Sequence, residues 1–226
     1  MKNVILLFLL SICISGCKEK ENDGYTIKIV NIKKENFNKM LYLIKIEERK
    51  KVIIDSVIID SETEMFEGVI KHPDLRHLKF KNGNRAYSFT LTNESIQIIL
   101  DNYDISQSAI TGSSVYSLSN IYNHEIKSIN EALVSINKKA TVLDETIDKA
   151  EFNKAKLVAD SLLREKINTD IAFIKKHPSN VFVTTLLGNL IFNYEISLEE
   201  GRNLYQLLQG DAKSSQAAIQ IKTFLN

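Results

Sequence analysis

Five carboxylates, Asp55, Asp60, Glu62, Glu64 and Glu67, crowd one short stretch of this chain. Two such acids facing each other across a groove can hydrolyse a glycosidic bond, one protonating the leaving oxygen while the other acts as base or nucleophile. The same charges beside apolar runs also protect an edge strand from pairing with another sheet. The chain has no Trp to form a sugar-stacking platform beside them. A second constellation, His72 and His77 with Asp74, offers three metal-ligating types around Pro73. It falls short of the four ligands of a structural zinc site, and it lacks the tight helical or strand spacing that would aim three ligands at a catalytic one. His124 and His177 stand alone. No Gly-x-Ser-x-Gly, phosphate-binding Gly-Lys-Ser/Thr loop, dinucleotide Gly pattern or His-Glu-x-x-His occurs. No catalytic residue, cofactor or metal is therefore expected.

The residue type with the clearest chemistry is Cys17. Lys2 precedes an apolar run from Val4 to Ile14, which ends in Ile14-Ser15-Gly16-Cys17. That run is shorter than the roughly 20 residues needed to span a bilayer, and one Lys, a short apolar core and small residues make a cleavable secretory signal. The expectation is a lipoprotein leader over 1–16, with Cys17 as the lipidated first residue of the mature chain. Two or three acyl chains, at roughly 0.8 kcal/mol per buried methylene, would anchor it stably in the cell envelope, with the outer membrane the expected site. Residues 17–24 then form a lipidated Cys and polar tether, since Lys18-Glu19-Lys20-Glu21-Asn22-Asp23-Gly24 has no apolar group to bury. The charged run is either a spacer or a surface-export tag.

Cleavage would remove Lys2 and no acid, leaving basic and acidic residues equal at 28 each. That balance speaks against a nucleic-acid partner, which calls for a basic face. Of the two cysteines, Cys13 would leave with the leader and Cys17 would carry lipid, so stability is expected from packing and not from disulfides.

Two periodicities divide the remainder. Over 25–112, short β-branched clusters (Tyr25–Ile32, Met40–Ile46, Val52–Ile59, Met65–Ile70, His77–Phe80, Tyr87–Leu91 and Ile96–Leu100) alternate with polar punctuation such as Lys81-Asn82-Gly83-Asn84. They predict an antiparallel β-sandwich or barrel. Val52-Ile53-Ile54-Asp55-Ser56 repeats at once as Val57-Ile58-Ile59-Asp60-Ser61. A five-residue period puts equivalent side chains on opposite faces of a strand, so it reads as one long strand buried on both faces, with a bulge near Asp55-Ser56.

From 113 to 226 the spacing predicts a helical bundle of four to five helices, giving an α+β chain. Tyr122, Ile126, Ile129, Leu133, Ile136, Ala140 and Leu143 form one stripe, with Ser113 or Ser114 as its cap. Phe152, Ala155, Ala159, Leu162, Ile167, Ile171 and Ile174 form a second, which must stop before Pro178. Val181–Tyr194 is apolar nearly all round. Ser197-Leu198-Glu199-Glu200 is a capping box opening a helix that runs to Gly210, and Ala212–Leu225 forms a last helix. With no Pro- or Gly-rich linker between the halves, the helices should pack on or beside the sheet.

Val52-x-x-Asp55-Ser56-Val57, Phe66-x-Gly68, Pro73 with Leu78, Phe89-x-Leu91, Ile96-x-Ile98 and Thr111-Gly112-Ser113, then Phe173-Ile174-Lys175-Lys176-His177-Pro178 with Leu186-Leu187, together carry a likeness. They resemble the N-terminal domain of unknown function, with its helical extension, of Bacteroidetes thioredoxin-like disulfide-interchange lipoproteins. The resemblance implies a β-sandwich-like domain and a helical segment behind a lipid anchor. Here the thioredoxin domain and its Trp-Cys-x-x-Cys are expected to be missing, so neither redox activity nor any functional residue carries over.

These readings favour a non-catalytic envelope lipoprotein. It would be held to the membrane through Cys17 and would act as a binding or scaffold module for an unknown envelope protein or peptide, accessory to a thiol-disulfide system. The alternatives are an envelope hydrolase using the acids from Asp55 to Glu67, or a structural spacer that dimerises through the stripe from Tyr122 to Leu143.

Overall fold

The computed structural model describes residues 24–193 and 195–226. The expected leader, Cys17 and all of the tether but Gly24 lie outside these residues.

Alternation of side chains drives the first half. In β1 (Tyr25–Val30) the odd residues Tyr25, Ile27 and Ile29 are buried, while Thr26 and Lys28 turn away. The same period builds β2 (Met40–Glu47), β3 (Lys50–Ile58), β4 (Glu64–Gly68), β5 (Asp74–Phe80), β6 (Tyr87–Leu91) and β7 (Ser95–Ile99). A further short strand, β8 (Ala109–Thr111), has too few residues to show a period.

The strands form two four-stranded sheets, ordered β4-β1-β7-β8 and β3-β2-β5-β6. They enclose Ile27, Leu41, Leu43, Phe66, Leu78, Phe89 and Ile98 as one core. Each fully buried side chain of this kind contributes roughly 1.5–3 kcal/mol, which explains why the sandwich needs no disulfide. The architecture is the expected sandwich followed by helices, although the pairing is not wholly antiparallel: β1 and β7 run parallel.

β3 departs from its sequence reading as a strand buried on both faces. It is an edge strand, paired only with β2, and Ile53 and Ile58 are more than half exposed. Of the duplicated run, Ile59 alone is fully buried, just past the strand end. The bulge is present: the register steps from Leu43↔Asp55 to Ile44↔Ile53, leaving Ile54 as the extra residue.

Among the described residues seven helices follow, against the four to five expected. The first stripe breaks at Ile126 into α1 (Ser114–Glu125) and α2 (Lys127–Ala140), and Leu143 falls in the turn beyond. α3 (Lys149–Lys176) stops before Pro178, as the proline requires. α4 (Phe182–Phe192) buries Val183, Leu186, Leu187, Leu190 and Ile191. α5 (Leu198–Leu207) starts at the expected cap, with the Ser197 hydroxyl accepting from Glu200 N at 3.2 Å. The expected final helix is two, α6 (Gly210–Ser214) and α7 (Gln216–Leu225), because the Ser215 hydroxyl accepts from Ala218 N and starts a new one.

α1, α4, α5, α6, α7 and the end of α3 share a second core. At its edge the Tyr122 hydroxyl donates to the buried Asp170 carboxylate, which also pairs with Lys166 Nζ at 2.7 Å. Burial, and then the hydrogen bond to Asp170, push the phenol well above its ordinary value. α2 buries only Ile129, and α3 buries only Ala155 before Asp170. Together they form a two-helix arm.

Candidate ligand cleft

The register decides what each end of the sandwich can do. β1 and β7 both run from the end where Gly24 enters. At that end lie the β2–β3 and β4–β5 turns, the β6–β7 turn and the crossing from β8 to α1. The helices dock there. Glu94 accepts from Ser114 N and Ser114 Oγ, each at 2.8 Å, and so caps α1 from outside the helix. Gln216 N donates to Pro73 O at 2.9 Å, and the Tyr116 hydroxyl accepts from Thr90 N.

The opposite end carries the loops 31–39, 81–86 and 100–108, and between them opens a cleft of about 710 Å³. This size lies within the range of small-molecule sites. Its floor is a closed hydrogen-bond network. The buried Asn36 amide donates to Asn102 Oδ1 at 2.9 Å and accepts from Lys39 Nζ at 2.7 Å. Asn102 Oδ1 also accepts from Lys33 N at 2.9 Å, and its amide donates to Asn31 O at 2.7 Å. Asn31 and Asn38 both take a φ of 64°, a left-handed conformation that asparagine tolerates better than most residues.

A second network fixes the loop after β7. Asp101 Oδ1 accepts from Tyr103 N and Asp104 N, both at 2.9 Å. Asp104 accepts from Ser106 N at 3.1 Å and Ser106 Oγ at 2.6 Å, and pairs with Arg85. The hydroxyl of Ser106, then its backbone N–H and the Arg85 guanidinium, hold the Asp104 carboxyl below the usual range. These bonds project the Tyr103 ring outward, 85% exposed, with Lys33 Nζ 4.4 Å from its centroid. The hydrogen bond that Lys33 donates to the Tyr103 hydroxyl raises its ammonium above its ordinary value. Phe80, Met40, Ile58 and Ile105 supply an apolar wall.

The residues singled out by sequence lie elsewhere. Asp55 is half-buried at the β3 edge, facing the same side as Leu43, and Oδ1 accepts from Ser56 N at 2.6 Å. Glu64 Oε1 tightens the β3–β4 turn by accepting from Asp60 N and Ser61 N. Asp60, Glu62 and Glu67 are exposed, and none of the five lines the cleft or the shallower depressions beside α1 and at Asn31. The structure thus brings no pair of these acids together across a groove.

His77 sits on the outer sheet face with Nδ1 hydrogen-bonded to Ser88 Oγ at 2.8 Å, and burial, then Arg76, lowers its imidazole below the ordinary value. His72 lies in the β4–β5 turn, and Asp74 is taken by Arg76 at 2.7 Å. Among the described residues no group of three His, Cys, Asp or Glu could hold a metal ion. His177 packs tilted against Phe173, their ring centroids 4.6 Å apart, and His124 is exposed on α1. No described helix is long and apolar enough to cross a membrane.

The cleft residues escaped the sequence reading because Asn36, Asn82 and Asn84 fall in polar turns, where asparagine is common for local reasons. The available signal was their number: the loops at this one end carry Asn31, Asn36, Asn38, Asn82, Asn84 and Asn102.

Residues 25–117 match the model of a family described as a domain of unknown function (DUF4369). The match takes in all eight strands and the first turn of α1. No curated protein and no solved structure matches the chain.

Proposed function

We propose that this chain is a non-catalytic, lipid-anchored envelope lipoprotein whose β-sandwich presents the cleft to a partner. The carrying observation is the placement of the cleft. The chain enters the sandwich at Gly24, the helices dock at that same end, and the cleft opens at the other. An anchor at Cys17 would therefore leave the cleft facing away from the membrane. The pre-formed floor supports binding, since groups already held in place lose little freedom when a ligand arrives. The Cys17 leader and the resemblance to thioredoxin-like lipoproteins favour an envelope location, with a role accessory to a thiol-disulfide system.

Two measurements test this reading. The wild-type chain should appear in the membrane fraction with a lipid-modified Cys17 peptide by mass spectrometry, and Cys17→Ser should release it. A photo-crosslinking residue at Asn84 should trap one defined species in intact cells, whereas the same residue at Val134 on the arm should not. A cleft that captures nothing, or captures no more than the arm does, removes the binding role.

A further inference from the structure

The cleft offers a specific set of unused groups. Asn36 and Asn102 spend their amides on each other, on Lys39 and on the backbone, so they build the floor. Asn38, Asn82 and Asn84 line the same space, and their side chains make no hydrogen bond among the described residues. Each free amide offers two donors and an acceptor, which matches the neighbouring hydroxyls of a sugar ring.

Charge adds a second requirement. Lys39, Lys81 and Arg85 line the cleft against one acid, Asp104. Asp104 is already paired with Arg85, while Lys81 has no ion-pair partner among the described residues. The site thus holds a surplus of positive charge that an anionic ligand would balance.

The free edge of β3 runs along the side of the sheet, and the strand ends that open into the cleft offer an extended peptide, normally bound by adding a strand, few backbone groups to pair with. Strand-end groups around the cleft are already paired: Asn38 N with Ile59 O, Ile59 N with Lys39 O, Lys81 N with Met40 O and Gly83 N with Phe80 O. What is left is side-chain amides, cations and an exposed Tyr103 ring. An aromatic ring with one polar end suits a partner that is apolar on one face and wet on the other.

Building on the binding role above, we infer that the cleft takes an acidic saccharide of two to three rings, its carboxylate or sulfate near Lys81 and Arg85 and its hydroxyls on Asn38, Asn82 and Asn84. This replaces the expected protein or peptide partner of the cleft with a glycan.

Calorimetric titration of the purified full chain should use trigalacturonate, sialyllactose and a heparin trisaccharide as acidic probes. Maltotriose and tri-glutamate serve as the neutral and peptide controls. At least one acidic sugar should bind, with affinity falling several-fold between low and physiological salt as the charges are screened. Lys81→Met with Arg85→Gln should weaken it at least tenfold, Asn38→Ala with Asn84→Ala several-fold, and Lys138→Met on α2 not at all. Unchanged melting temperatures would exclude misfolding as the cause. Equal binding of maltotriose, equal binding of tri-glutamate, or no binding of any acidic sugar overturns the inference. A non-saccharide adduct at Asn84 would also overturn it while leaving the binding role standing; no adduct at all would remove both.

Discussion

The two ends of the sandwich are built from the same kind of loop and put to opposite uses. At the end where the chain enters, polar groups are consumed by docking. Glu94 caps α1, Pro73 O takes Gln216 N, and the Asn93 amide bridges both N and O of Ile70 at 3.0 and 2.9 Å. At the far end the buried Asn36 pairs with the half-buried Asn102 to close the floor, and three further asparagines face solvent unspent. A short polar loop is neutral in itself; whether a second domain covers it decides if its hydrogen-bonding capacity becomes structure or becomes a site.

Five perturbations would break or sharpen this contrast. Phe89→Ala empties the core that both ends share, and should cost about 3–5 kcal/mol. Thermal unfolding followed from both ends should then shift together, and separate transitions would show that the cleft is not rigidly coupled to the docked end. Next in size are Asn36→Ala and Glu94→Ala, each removing a polar group on which others depend, at about 1–3 kcal/mol. Hydrogen exchange should localise the first loss to the loops 31–39 and 100–108, and the second to the start of α1.

A gain is expected at the β2–β3 turn. Glu48 and Arg49 take φ values of 49° and 64°, the two left-handed positions that Asn-Gly suits better. Glu48→Asn with Arg49→Gly should stabilise the protein by about 1–2 kcal/mol, read as a raised denaturation midpoint, without altering the cleft.

The smallest effect is local and depends on pH. The folded-state pKa of Asp104 lies below its unfolded value. Its contribution is thus present above the unfolded value, about 4, and is lost as pH falls through the folded one. Protection of the Ser106 amide from exchange, relative to its intrinsic rate, should fall below about pH 4, and Asp104→Asn should abolish the dependence.

Much of this was legible beforehand for a simple reason: burial imposes a period. Tyr25, Ile27 and Ile29 declared a strand, and Pro178 and Ser197 marked helix boundaries through backbone chemistry that acts within a few residues. Where neighbours set the outcome, the reading failed. The apolar run in β3 looked like a central strand, yet the topology leaves it at an edge. The stripe from Tyr122 to Leu143 kept its spacing through Ile126, where the helix breaks and a two-helix arm begins.

The acids between Asp55 and Glu67 looked like a site because they are close in sequence. The cleft went unread because Asn36 and Asn102 are neighbours only in space. Composition and periodicity alone determined an α+β chain with a sandwich first and helices after. Tertiary structure decided which loops meet, which strand is an edge and which polar side chains remain unspent. Those outcomes depend on contacts between segments far apart in the chain, and no local pattern of residues encodes them singly.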